Sequence, residues 1–183
     1  MPSEPLVLAS GSPQRRAILE QLGVDFRVQV TGVEELTGGD PRQVVAENAR
    51  RKARAADGER VLGVDTAVVL DGRTLGKPDH AAQAASFLGD LSGRSHEVMS
   101  GIVLCDGPDE RGEVVVTRVR FRELGRRELD WYLASGEWRE RAGGYAIQGR
   151  GAALVEEIEG DYWNVVGLPV PALLRLAPDL LGS

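Results

Sequence analysis

From Pro5 to Leu91 the sequence alternates short apolar runs with helix-periodic segments. A chain patterned this way builds a sheet flanked by helices. Pro5–Ala9 predicts a strand, and a helix over 13–22 follows with Ile18, Leu19 and Leu22 on one face. Ser12 suits its N-cap, Pro13 its first position and Gly23 a left-handed stop. Phe26–Val30 predicts a second strand. Asp40-Pro41 opens a helix to about Ala56, with Val45, Ala49, Ala53 and Ala56 as the buried stripe and Lys52 at its border. Val61–Leu70 predicts a long strand, turning at Asp71-Gly72 into Arg73–Leu75. Ala81–Leu91 is helical.

The later pattern is different. Ser95–Cys105 and Glu113–Phe121 predict two strands joined by a Gly/Pro/Asp loop. On the second, Val119 and Phe121 face one way, and Arg118, Arg120 and Arg122 the other. A helix over 126–135, short strands after Gly143-Gly144 and a last helix near 171–181 complete the chain. Early alternation with later hairpins predicts an α/β domain with a mixed sheet. The 183 residues suit a single domain, 1–183.

Chemistry concentrates in a few segments. Ser10-Gly11-Ser12-Pro13-Gln14-Arg15 places two hydroxyls and an Arg where a strand ends and a helix begins. Unpaired amides and the positive dipole end there can hold phosphate; the same residues also fit a plain capped helix. Asp65 interrupts the apolar run Val61–Leu70, where a carboxylate needs a partner or a metal. Glu34, beside Glu35 in a loop, matters as a second acid. Two carboxylates from separate strand ends can hold Mg²⁺ or Mn²⁺, and that ion activates water and neutralises phosphate charge.

Leu75-Gly76-Lys77-Pro78 is not a Walker A loop, because Pro78 stands where Ser or Thr is required. Its Lys77 can still reach a phosphate. Gly143-Gly144-Tyr145-Ala146-Ile147-Gln148-Gly149-Arg150-Gly151 leaves backbone open to a ligand, and Gln148 can both donate to and accept from a base edge. The stretch from Gly160 to Pro169 is aromatic and fits either a binding wall or core. His80 and His96 form no metal-ligand spacing. His96 fits a structural or supporting role.

The net charge of −6 argues against a nucleic-acid-binding protein. The single cysteine, Cys105, excludes an internal disulfide and suits a buried thiol in a reducing compartment. Met1–Pro5 does not read as a signal peptide, and no apolar run approaches the ~18 residues of a spanning helix. The expectation is a cytoplasmic protein without membrane contact.

Taken together, Leu8–Pro13, Gly63–Thr66, Leu75–Pro78, Leu91–His96, Tyr145–Gly149 and Gly160–Pro169 resemble the Maf family of nucleotide pyrophosphatases over nearly the whole chain. The resemblance implies two lobes around a central cleft, as in inosine-triphosphatase-like folds, and a homodimer. It implies divalent-metal-dependent hydrolysis of a nucleoside triphosphate to the monophosphate and pyrophosphate. By the same resemblance, Asp65 and Glu34 are the catalytic and metal-binding acids. Ser10, Ser12, Arg15, Lys52, Lys77 and Gln148 bind the substrate. Gln14 departs from the family's usual Arg, which leaves Arg15 or Arg16 to supply the charge. Tyr145-Ala-Ile-Gln-Gly149 is similar to the branch acting on dTTP and UTP. The alternatives are a pyrophosphatase for 7-methyl-GTP or non-canonical purines, and a non-hydrolysing regulator of septum formation.

Overall fold

The computed structural model describes residues 5–181; the reading of the extreme N-terminus falls on residues 1–4, outside them. The elements run β1 (Leu6–Leu8), α1 (Pro13–Gln21), β2 (Phe26–Val28), α2 (Pro41–Ala55), β3 (Arg60–Leu70), β4 (Arg73–Leu75), α3 (Ala81–Leu91), β5 (Ser95–Asp106), β6 (Asp109–Phe121), α4 (Arg126–Ala134), β7 (Val155–Glu159), α5 (Tyr162–Val166) and α6 (Val170–Leu176). The strand order is β2-β1-β3-β5-β6-β7, with β4 paired to β3. β1 lies parallel to β2 and to β3, whereas β3–β4 and β6–β7 are antiparallel. The mixed sheet expected from the sequence is therefore present.

Three segments differ from the pattern reading. Gly107 adopts φ +56°, so β5 and β6 meet in a tight turn and the strands reach almost to its tip. After Gly144 a single strand forms among the described residues. Gly143, Gly144 and Gly149 have φ of 68°, 75° and 70°, which breaks an extended run into short 3-10 turns. The last helix stops at Leu176, because Ala177 precedes Pro178 and leaves the helical region.

The chain divides into two compact units. The first comprises the residues up to Thr66, Ser100–Val115 and the chain from Gly167 onward. Its α1 is capped by the Ser12 side chain with Pro13 in the first turn, and α2 by Asp40 with Pro41. α2 presents a small-residue stripe, with Val45 and Ala49 fully buried and Ala53 nearly so. That stripe meets Gly63 of β3 and Gly101 of β5 backbone to backbone. A Cβ on Gly63 would overlap the Ala49 carbonyl and lie 2.7 Å from the Ala53 nitrogen; one on Gly101 would overlap the Val45 carbonyl. Val7, Ala9, Val61 and Val103 complete this core, with Cys105 packed against it. Burial raises the Cys105 thiol pKa, so it is a packing group and not an activated nucleophile.

The second unit comprises Ala67–Met99 and Val116–Val166. Its core gathers Leu75, Leu88, Leu91, Phe121, Tyr132 and Leu154. Asp71 and Gly72 take φ of 50° and 76°, the two positive values a type I′ hairpin demands. His80 caps α3, its Nδ1 accepting from the Gln83 amide at 3.2 Å. On β6 the Arg row faces out as expected. Arg120 pairs with Glu156 and Glu157 of the β7 edge, and Arg122 donates to the Ala153 carbonyl and pairs with Glu128. The row is thus largely neutralised by its own neighbours.

His96 is 2% exposed, bonds Tyr145 Oη through Nε2 at 2.7 Å, and sits edge-on to Phe121 and Tyr145. Burial lowers its pKa from 6.5 to about 4. The folded state therefore holds the neutral ring, and the unfolded chain takes up the proton first. The stability contributed is complete above pH 6.5 and erodes as pH falls from there to about 4, by roughly 3 kcal/mol in all. Denaturant midpoints of wild type and His96→Phe at pH 7, 5.5 and 4.5 check this. The wild-type advantage over the variant is expected to shrink toward low pH, and a constant gap overturns it.

Among the described residues, no helix is long and apolar enough to cross a membrane.

Candidate active site

The parallel strands β2, β1 and β3 set one end of the first unit as the place where functional side chains collect. In open α/β sheets, ligands bind beyond the carboxyl ends of parallel strands. Ser10 follows β1, the acidic loop carrying Glu34 and Glu35 follows β2, and Asp65 and Thr66 lie on β3 beyond its pairing with β1 at Val61 and Leu62.

Asp65 is the hub. Its side chain is 14% exposed, and Lys52 Nζ approaches Oδ1 at 2.9 Å while Asn48 Nδ2 donates to Oδ2 at 3.0 Å. Lys52, 13% exposed, also pairs with Glu35 Oε1 at 2.7 Å. One ammonium thus bridges two carboxylates from different segments. Asn48 and Lys52 are four residues apart on α2, which puts both on one helix face. The tight approach of α2 at Gly63 brings that face to Asp65.

Arg15 forms the second part. It is 8% exposed, and its donors are committed: Nε to the Gly167 carbonyl at 2.8 Å, Nη1 to Ser10 Oγ at 2.8 Å, and Nη2 to Thr66 Oγ1 at 3.0 Å. Thr66 Oγ1 in turn lies 2.8 Å from Ser100 Oγ. Burial lowers the Arg15 pKa, while the charges of Asp65 and Glu35 pull it back up. A guanidinium has five N–H groups, so two remain for a ligand after these three bonds. Ser12 caps α1 and its hydroxyl donates to Gln14 Oε1 at 3.1 Å. Gln14 therefore folds back on the cap.

Of the residues singled out from the sequence, Ser10, Ser12, Arg15, Lys52 and Asp65 share this region of the first unit. Glu34 does not enter the cluster. Its side chain is exposed and makes no hydrogen bond or ion pair among the described residues, and only its carbonyl is held, by Arg51 Nη1 at 3.1 Å. The acid on Lys52 is its neighbour Glu35. Lys77 and Gln148 belong to the second unit, both exposed: Lys77 faces Glu140 at 3.5 Å, and Gln148 precedes a 3-10 turn, its side chain making no hydrogen bond among the described residues.

Sequence reasoning missed Glu35, Asn48, Thr66 and Ser100. Asn48 had a usable signal: a polar residue one turn before Lys52, beside the buried Val45–Ala49 stripe. The choice between adjacent Glu34 and Glu35 had none, since spacing alone treats them alike.

The fold and this cluster define an α/β protein with a hydroxyl-rich helix N-terminus set beside a lysine-bridged pair of acids. The chain matches the Maf-like protein family over residues 5–180 and belongs to it. A dTTP/UTP pyrophosphatase of Symbiobacterium thermophilum is 47% identical over 177 residues, covering 93% of this chain and 91% of that one. One from Thermus thermophilus is 48% identical over 173 residues, covering 94% and 92%. One from Anaeromyxobacter dehalogenans is 49% identical over 181 residues, covering 94% and 93%.

Proposed function

We propose that this protein is a nucleoside triphosphate pyrophosphatase that hydrolyses dTTP and UTP to the monophosphate and pyrophosphate. The observation that carries the chemistry is Lys52 bridging Asp65 and Glu35 beside the α1 N-terminus. The choice of base is supported by the similarity to the dTTP/UTP pyrophosphatases above.

Phosphoanhydride cleavage requires positioning and charge neutralisation more than covalent participation. The two free N–H groups of Arg15, the Ser10 hydroxyl and the early α1 amides bind phosphate oxygens in this reading. Lys52 adds a positive charge. For Lys77 and Gln148 of the second unit, the roles toward triphosphate and base are those that the family resemblance implies. Each Asp65 oxygen keeps a lone pair after its bond to Lys52 or Asn48. Asp65 uses one of them to accept from the attacking water and take its proton as the water adds to the α-phosphorus. The α–β bridging oxygen leaves with pyrophosphate.

The donor set fits a divalent cation such as Mg²⁺ or Mn²⁺. Asp65 and Glu35 are hard carboxylate donors within 3 Å of one atom, Lys52 Nζ. No group of three or more acidic, His or Cys residues among the described residues forms a dedicated metal cage. Mg²⁺ characteristically uses one or two carboxylates together with substrate phosphates. Asp65 and Glu35 would hold it, and it would supply charge neutralisation on the triphosphate. The reading has the enzyme acting in the cytoplasm as a homodimer on free nucleotides, without nucleic acid or membrane.

Pyrophosphate release from dTTP, UTP, ITP and 7-methyl-GTP, measured with Mg²⁺ and with Mn²⁺, tests the proposal. The kcat/KM for dTTP and UTP is expected to exceed that for the two purines by about tenfold or more, within reach of shape and hydrogen-bond discrimination. Purine preference overturns the base assignment. Orthophosphate as the product overturns the bond assignment, and binding without turnover leaves a regulator instead.

A further inference from the structure

We infer that Asn48 is a positioning residue that sets Asp65 and the acidic loop in register with each other; the inference rests on the pyrophosphatase reading above. Asn48 is 2% exposed, yet its side chain is fully engaged. Oδ1 accepts from the Leu36 amide at 2.7 Å, and Nδ2 donates to the Leu36 carbonyl at 3.1 Å and to Asp65 Oδ2 at 3.0 Å. Two acceptors and one donor surround it, so a single orientation of the amide satisfies all three.

A buried carboxamide that pairs with both polar groups of one loop residue acts as a local substitute for a strand partner. Leu36 directly follows Glu35, so the clamp fixes the backbone that delivers Glu35 to Lys52. The same nitrogen holds the Asp65 oxygen that Lys52 does not hold. Asn48 and Lys52 thereby pin the carboxylate from both sides and hold the direction in which its remaining lone pairs point. Misplacing a reacting group by about 1 Å costs on the order of 100-fold in rate, so the clamp should show in kcat.

Two variants separate its arms. Asn48→Leu keeps the branching at Cγ and removes all three bonds. Asn48→Asp keeps an acceptor for the Leu36 amide but replaces the donor facing Asp65 with an oxygen. With dTTP and the full chain, both are expected to lower kcat by roughly 10- to 100-fold with KM changed less than about threefold. Hydrogen exchange read at the Leu36 amide should accelerate at least about tenfold in Asn48→Leu, as expected when the bond that protects it is lost. In Asn48→Asp it should stay near wild type. A purely structural residue would not lose turnover while Leu36 stays protected.

Turnover within about twofold of wild type in either variant, a loss confined to KM, or global loss of protection in Asn48→Asp overturns the inference. A wild-type chain that releases no pyrophosphate overturns the pyrophosphatase reading instead, and the positioning role falls with it.

Discussion

Asp65→Asn is expected to lower kcat by about two orders of magnitude or more, the usual loss when a general base is removed. The substitution preserves size in a site only 14% exposed. It leaves a carbonyl oxygen for one of the two donors, Lys52 or Asn48, and turns an NH2 toward the other. Lys52 retains Glu35 at 2.7 Å, so the ammonium is not stranded. The stability cost is therefore about 1–3 kcal/mol, that of one mispaired partly buried group. Loss of turnover should greatly outrun loss of folding. Steady-state kinetics alongside thermal melts check this, and a folded Asp65→Asn with wild-type turnover would falsify the role of Asp65 as base. Glu35→Gln should lose about tenfold or more through the same cluster. Glu34→Gln, whose carboxylate makes no hydrogen bond or ion pair among the described residues, should stay within about twofold.

Gly63→Ala is expected to be the most damaging small substitution in the first unit. The added Cβ meets the Ala49 carbonyl and the Ala53 nitrogen, both helix backbone, so no side chain can rotate away to relieve it. α2 must lift from β3. The cost is about 3 kcal/mol or more, at the upper end for overpacking. For a chain of this length that lowers Tm by roughly 6–12 °C. Activity should fall further than stability, because α2 carries Asn48 and Lys52 and lifting it separates both from Asp65. Gly89→Ala is the control. Gly89 lies in α3 with open space around it, so an added methyl should raise stability by up to about 1 kcal/mol through helix propensity. Equal Tm values for Gly63→Ala and wild type would show that α2 is not held by this contact.

Much of the architecture was legible in the linear pattern because it depends on local rules. Ser12-Pro13 and Asp40-Pro41 start helices through capping and fixed φ, and Asp71-Gly72 closes a hairpin through its positive φ values. The alternation on β6 sorted Val119 and Phe121 from the Arg row. Asp65 announced itself by interrupting an apolar run, since a carboxylate there needs partners.

The partners themselves were not legible. Which of two adjacent loop acids reaches Lys52 depends on how Arg51 and Asn48 hold the loop backbone, and those bonds span 12 and 17 residues. Arg15 reads as a free cation beside a helix start; only the folded chain delivers Gly167, 152 positions away, to take its Nε. Capping, turn and alternation preferences act between near neighbours, so the sequence alone determined the elements up to Gly143, their order and the reactive residue types. The tertiary structure decided which polar groups meet, because burial favours pairing of donors and acceptors and only packing settles which partner is within reach.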